Sequence, residues 1–378
     1  MHVVENADPY SDVMMLPLSI VPMEKLLSAL GRTGMRLAFL LQVVFLASAL
    51  CCSATAASTT IRVTLQLPAE SLLYQNLKHF GDRVAELSHG ELNIKLFPSS
   101  ELFKAHEVPG AVGTGKIEMG ASLLLQYVEI IPAADIFSVP FLFSDPAIFE
   151  AATASSSGIR GLLDESIRNA TGARVLWWVP YGAEAMGSKG SPLRLPFDLA
   201  GKRIRVAGST LAEFIKACGA AGVISGGPEQ YALLQKGKVD GVSTSIEAFV
   251  SLSLWQLIDH ATLIRHIRKV FVVLINDRIW QGLSEEQRSV LKKAAMEAER
   301  SALNQDAILD REAIAVLARH GMKISEVTPT EFDEWKACSS PVSEIFLAKS
   351  GETGEKVMAE YRKLLAGFIG NRPSGRSR

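Results

Sequence analysis

Apolar and polar side chains alternate over residues 60–67, the two-residue period of a strand. Leu73, Leu77, Phe80, Val84 and Leu87 then recur at helical spacing before Gly90. Residues 91–97 read as a second strand, closed by Pro98 and two serines, and a helix over about 107–113 leads to Lys116-Ile117-Glu118-Met119. Further along, 173–179 is a strongly apolar strand. Residues 202–206 form a strand of mixed charged and apolar side chains behind the turn Pro196-Phe197-Asp198-Leu199-Ala200-Gly201. Strands that alternate with helices in this way predict an α/β chain with a mainly parallel sheet.

Two features organise these elements. Gly115-Lys116-Ile117-Glu118 returns as Gly237-Lys238-Val239-Asp240, each time after an apolar helical stretch and before a strand end bearing Ser or Thr. One α/β plan used twice predicts two lobes meeting at a cleft, because ligands of such sheets bind outside the carboxyl ends of the strands. A strand over 269–275 is expected to carry the chain back to the first lobe, so the lobes are discontinuous and linked by a hinge. Ser284 followed by Gln287 is a capping-box pattern, and good helix formers continue to about Arg319. At 1.5 Å per residue that helix is a rod of roughly 50 Å, long enough to brace both lobes.

Composition narrows the class. The chain of 378 residues is 48% hydrophobic and 21% charged, with 39 Lys+Arg against 40 Asp+Glu and a formal net charge of −1. It is built to bury a core, and no global basic field exists to hold nucleic acid or anionic lipid. Near the N-terminus, Arg32 and Arg36 flank the start of an apolar run over 37–50, followed by Ser53-Ala54-Thr55-Ala56-Ala57. That order predicts a signal peptide cleaved near Ala57, with Met35 as an alternative start; the run is short for a permanent span. Residues 1–57 are therefore assigned to the signal and its upstream segment. Lipidation at Cys51 or Cys52 is disfavoured, since neither follows a small residue. Export leaves Cys218 and Cys338 in a compartment that permits a disulfide, and sequence alone leaves their pairing open.

Several chemistries fail on inspection. Gly110 to Lys116 has P-loop spacing, but Ile117 stands where Ser or Thr would hold magnesium. Seven histidines include no His-Glu-x-x-His, and His260 and His266 lie six apart, which is not a helical face. Neither a Gly-x-Ser-x-Gly elbow nor a Cys-x-x-Cys pair occurs. No metal or cofactor is implied. Aromatic residues gather in the stretches expected near the cleft: Phe137, Phe141, Phe143, Trp177, Trp178, Tyr181, Phe249 and Trp255. Small-molecule pockets are largely apolar with a few placed polar groups, so some of these are candidates to touch a ligand.

The chain resembles the periplasmic solute-binding proteins of tripartite ATP-independent periplasmic (TRAP) transporters, of the DctP type. The likeness rests on residues 92–100 with their Phe97-Pro98-Ser99-Ser100 end, 115–120, 135–143 with Val139-Pro140-Phe141-Leu142-Phe143, 198–206, 231–241, and 271–283 around Trp280. The resemblance implies an α/β, two-lobed periplasmic-binding-protein-like (type II) fold with a hinge and a long bracing helix. The expected division is 58–181 plus 269–320 for lobe I, 182–268 plus 321–368 for lobe II, and a disordered tail over 369–378. It implies a non-enzymatic subunit, monomeric with a dimer left open, that closes on a small organic acid and hands it to the two integral-membrane subunits of a TRAP permease. The Arg that holds the carboxylate in this family falls on Arg205. A planar guanidinium suits that task, because it makes paired hydrogen bonds where Lys offers a point charge.

Departures from the family shape the expected ligand. Tyr181-Gly182-Ala183-Glu184-Ala185-Met186 lacks the second Arg that many relatives carry, and Val242-Ser243-Thr244-Ser245 replaces Gln-Glu-Asn-Pro. A sialic-acid or simple dicarboxylate pocket is thereby disfavoured. Glu184 and Glu247 add negative charge, which would suit a zwitterion whose carboxylate meets Arg205 and whose ammonium meets Glu184. The expected ligand-binding set is Arg205, Glu184, Thr244, Tyr181, Phe249, Trp255, Gln126, Ser243 and Glu247. Two other classes remain open: an exported hydrolase using Glu184 or Asp240 as base, and a receptor that presents its ligand to a sensor protein.

Overall fold

A computed structural model describes residues 58–370. The expected signal segment and the last eight residues of the expected tail lie outside that range. Strand β1 (Thr59–Leu65), helix α1 (Leu72–Leu87), β2 (Leu92–Phe97), α2 (Val108–Thr114) and β3 (Met119–Leu123) follow one another. Strand β1 lies between β2 and β3, parallel to both. Ser71 caps α1 by accepting from the Tyr74 N–H at 3.3 Å, and Leu73, Leu77, Phe80 and Val84 form its buried stripe. Gly115 ends α2 in the left-handed region at φ 78°, a conformation that costs a side-chain-bearing residue more than glycine.

Helices α3 (Pro146–Thr153) and α4 (Gly158–Thr171) precede β4 (Ala173–Ser188), and the opening plan then recurs. Strand β5 (Arg203–Val206), α5 (Ser209–Ala217), β6 (Ala221–Ile224), α6 (Gln230–Gln235) and β7 (Gly241–Ser245) again place the first strand between two parallel partners. After α7 (Ile246–Ser251) the chain adds β8 (His260–Leu263), β9 (Arg268–Asn276), α8 (Asp277–Gly282), α9 (Glu285–Arg319), β10 (Lys323–Glu326), α10 (Pro329–Cys338) and α11 (Pro341–Gly370).

The 16-residue β4 joins the two halves. Its first part pairs antiparallel with β9, and its last part with β7 and β8, giving a strand path β2-β1-β3-β9-β4-β7-β5-β6. The β4–β9 register slips between Pro180 and Ala183, where Gly182 takes φ 71°. A bulge bends its strand locally, and this one falls just before β4 passes from its β9 pairing to β7 and β8. A Cβ at Gly182 would meet Asp310 Oδ1 at 2.7 Å, which reserves the position for glycine. The Gly182 N–H donates to Asp306 at 2.8 Å, and Arg268 pairs with the same carboxylate at 2.6 Å. Asp306 and Asp310 both belong to α9, so the bulge is tied to the middle of that helix.

Helix α9 has 35 residues and begins with the reciprocal Ser284–Gln287 capping box read from the sequence. Leu291, Ala294, Ala295, Ala298 and Ala302 pack with the β1, β3 and β9 side chains, whereas Ala313 and Leu317 pack with Val242 and Phe249. It therefore braces both lobes. Helix α11 differs from expectation: Phe346, Val357, Met358 and Tyr361 pack against Phe143, Ile159 and Leu163 of the first lobe, although 321–368 was assigned to the second. Only its first turn keeps to the second half, where Val342 packs with Phe214 and Trp335. Residues 369 and 370 continue this helix rather than the expected tail. Cys218, at the end of α5, is bonded to Cys338, at the end of α10, with Cα atoms 5.2 Å apart.

Candidate functional site

The carboxyl ends of the parallel strands from both halves open onto one cavity of about 810 Å³. Gln66 follows β1, Leu123 ends β3, Arg205 and Ala207 mark the end of β5, Ser225 follows β6, and Thr244 is on β7. Strand β9 runs the other way, so its beginning, with Lys269 and Phe271, faces the same space. Tyr181 enters from the bulged part of β4. The site is thus assembled from both halves.

Arg205 is 1% exposed yet lines the cavity. Its Nε donates to Ser225 Oγ at 3.2 Å, one Nη2 hydrogen goes to the Ser225 carbonyl at 2.5 Å, and one Nη1 hydrogen reaches the Ser243 carbonyl at 3.4 Å. A guanidinium has five N–H groups, so this geometry leaves two donors over. All three acceptors are neutral. Burial pulls the guanidinium down to about 10, against the charges of Glu184 and Glu229. Among the described residues no carboxylate forms a direct ion pair with it.

Behind the wall lies a second charged cluster. Glu184 is wholly buried, and its carboxylate sits 3.0 Å from Lys269 Nζ and 3.4 Å from His266 Nε2 while accepting from Ser243 Oγ at 2.5 Å. Burial alone would push this carboxyl up, but Lys269, His266 and Ser243 outweigh it and hold Glu184 well below the usual carboxylate range. Lys269 also donates to Thr244 Oγ1 at 3.4 Å. Burial lowers its affinity for a proton, as does Arg205, while Glu184 opposes both. Also on the lining, burial raises the Glu247 carboxyl, with the Tyr181 hydroxyl as the largest partial compensation. Asp135 is raised by burial too, against hydrogen bonds from Ser138 and Thr210.

Of the residues expected from sequence, Arg205, Thr244, Tyr181, Gln126 and Glu247 line the cavity. Four do not. Glu184 is turned beneath the wall, because a carboxylate at zero exposure needs a cation partner and Lys269 supplies it. Ser243 spends its hydroxyl on Glu184 and offers Arg205 only its carbonyl. Phe249 is core, packed against Val242 and Ile258 and lying where a Cβ on Gly187 would clash. Trp255 stacks on His320, ring centroids 4.1 Å apart. The other aromatics are core as well: Phe137 stacks on Phe143 at 4.5 Å and lies edge-on to Trp178 at 5.6 Å, Phe141 packs against Phe332 at 5.0 Å, and Trp177 packs on Phe80 at 4.6 Å.

The sequence reading missed Lys269, Ser225, Gln66, Asp135 and Phe271. Only Lys269 carried a signal, a lone cation opening an otherwise apolar strand. Asp240, offered as a base, is clamped by Arg203 at the opposite end of the strands and does not line the cavity. Among the described residues no group of three or more His, Cys, Asp or Glu is arranged to hold a metal.

Comparison with known proteins agrees with this architecture. The C4-dicarboxylate-binding periplasmic protein DctP of Rhodobacter capsulatus is 26% identical over 284 residues, covering 74% of this chain and 82% of the relative. The 2,3-diketo-L-gulonate-binding periplasmic protein YiaO of Escherichia coli K12 is 30% identical over 223 residues, 58% of this chain and 67% of the relative. DctP7 of Bordetella pertussis, an extracytoplasmic solute receptor binding pyroglutamic acid, superposes with a TM-score of 0.76 at 26% identity, covering 81% of this chain and all of that one. The model of the DctP family, bacterial extracellular solute-binding protein family 7, matches residues 64–350, and the chain belongs to that family.

Proposed function

We propose that this protein captures a small organic acid in the cavity between its lobes, binds the carboxylate through Arg205, and delivers the closed complex to the two integral-membrane subunits of a TRAP permease outside the cytoplasm. One observation carries the reading: a guanidinium buried in a cavity wall, bonded only to neutral acceptors and left with two donors. Burying a charge is costly unless it is paired. A ligand carboxylate supplies the missing pair, and a charged hydrogen bond is shorter and stronger than the neutral ones Arg205 already makes. The bulge at Gly182 and the α9 brace offer the hinge such capture needs. The names of relatives that bind organic acids support the same direction.

The test is a thermal-shift panel in which each acid is paired with its amide or alcohol. A ligand at 100 times its dissociation constant adds about 2.7 kcal/mol of stability. Acids are expected to raise the melting temperature and their neutral counterparts are not. Equal stabilisation by acid and amide would defeat the carboxylate reading, and steady chemical conversion of a bound acid would defeat the reading as a transport subunit.

A further inference from the structure

We infer that the site is charge-matched to a ligand carrying a single carboxylate, with Lys269 as the second contact beside Arg205 and Glu184 as the residue that sets the match. The inference rests on the carboxylate reading above and narrows it. Two cations reach the inner cavity, Arg205 and Lys269. Glu184 lies directly behind Lys269, at 3.0 Å, and is itself closed off from the cavity. It cancels one of the two charges without competing for the ligand. Among Arg205, Lys269 and Glu184 what remains is one unit of positive charge, displayed by two groups; His266, 3.4 Å from Glu184, is closed off with it and does not line the cavity.

The donors have the same arithmetic. Arg205 keeps two N–H groups after its bonds to Ser225 and Ser243, and Lys269 keeps one after its contacts with Glu184 and Thr244. Three donors suit the two oxygens of one carboxylate. A second carboxylate would find only more negative charge: Glu247 and Asp135 face the same space, and Glu107, Glu129 and Glu229 are exposed along its lining. Among the described residues the one other basic side chain on the lining is His106, which is exposed. An unpaired anion desolvated there is penalised, so the site selects by repulsion as well as attraction.

Glu184→Gln keeps the shape and removes the charge. It leaves Lys269 without its buried ion-pair partner, so that a second carboxylate on the ligand, rather than Glu184, is what would hold the ammonium charged, and the variant becomes suited to two carboxylates. Calorimetry on the full exported chain with pairs that differ only in one carboxylate reads this directly: a diacid against its own monoamide, glutarate with glutaramate and succinate with succinamate. The native protein is expected to bind the monocarboxylate of whichever pair it accepts at least about tenfold more tightly, one such step being 1.4 kcal/mol. Glu184→Gln is expected to shrink that ratio by about the same factor. The double variant Glu184→Gln/Lys269→Met restores the net charge and is expected to restore the preference at lower affinity, because the Lys269 contact is gone. Equal affinity for both members of an accepted pair in the native protein overturns the inference, even if the variants do not fold, and so does an unchanged ratio in a folded Glu184→Gln. Failure of every carboxylate in the wider panel would instead overturn the carboxylate reading on which it rests.

Discussion

The two halves of the sheet use one scaffold for different ends, and β1 and β5 show where they part. Arg62 on β1 is held by Glu118, with Nε and Nη2 at 2.8 and 2.7 Å from its oxygens and a further contact to the Lys116 carbonyl. Arg203 on β5 is held in the same way by Asp240, at 3.1 and 2.9 Å, and reaches the Gly237 carbonyl. Glu118 and Asp240 each also accept from the main-chain N–H of the arginine they hold. The four-residue echo in the sequence is thus the mark of a repeated clamp between a first strand and the turn ahead of a third. Two residues further along each strand the halves diverge. Thr64 in the first is fully buried, its hydroxyl without a partner, whereas Arg205 in the second carries its charge to the cavity wall. The repeated residues secure the scaffold, and the residue that breaks the repeat is the one on the cavity wall.

This comparison can be broken at the covalent level first. The second half holds the disulfide, which ties helices 120 residues apart in sequence. The double substitution Cys218→Ser/Cys338→Ser is expected to cost about 2 to 5 kcal/mol of stability, measured by denaturant unfolding under oxidising conditions. An unchanged midpoint would mean that the smaller apolar cluster of that half needs no such tie. The clamps sharpen the contrast at a lower magnitude. Both are partly exposed ion pairs, so Arg62→Ala and Arg203→Ala are each expected to lower the melting temperature by only a little and to a similar extent, with ligand affinity unchanged. A large loss of affinity in either variant would mean that the clamps serve binding and not only the scaffold.

Much of this fold was legible in the sequence because it rests on local signals. The stripe Leu73, Leu77, Phe80, Val84 announces α1, Ser284 with Gln287 starts the 35-residue brace, and the glycines 115 and 237 stop two helices in the left-handed region. The candidate site was half legible. Arg205 stood out through resemblance, and Thr244, Tyr181, Gln126 and Glu247 lay near strand ends that face the cavity. What failed depends on partners far along the chain. Glu184 reads as a pocket carboxylate until β4–β9 pairing brings Lys269 between it and the cavity, and Phe249 and Trp255 read as ligand contacts until Gly187 and His320 are seen to receive them. The docking of α11 on the first lobe is of the same kind, since an amphipathic helix does not say which apolar surface it will cover.

The most direct measurement is a binding isotherm for Arg205→Ala with the tightest acid found for the native protein, alongside its unfolding curve. Truncating a buried charged partner costs on the order of 2 to 5 kcal/mol, so the account predicts a loss of affinity of roughly thirtyfold or more in a variant that still folds. A folded Arg205→Ala protein that binds the same acid as tightly as the native one would contradict it.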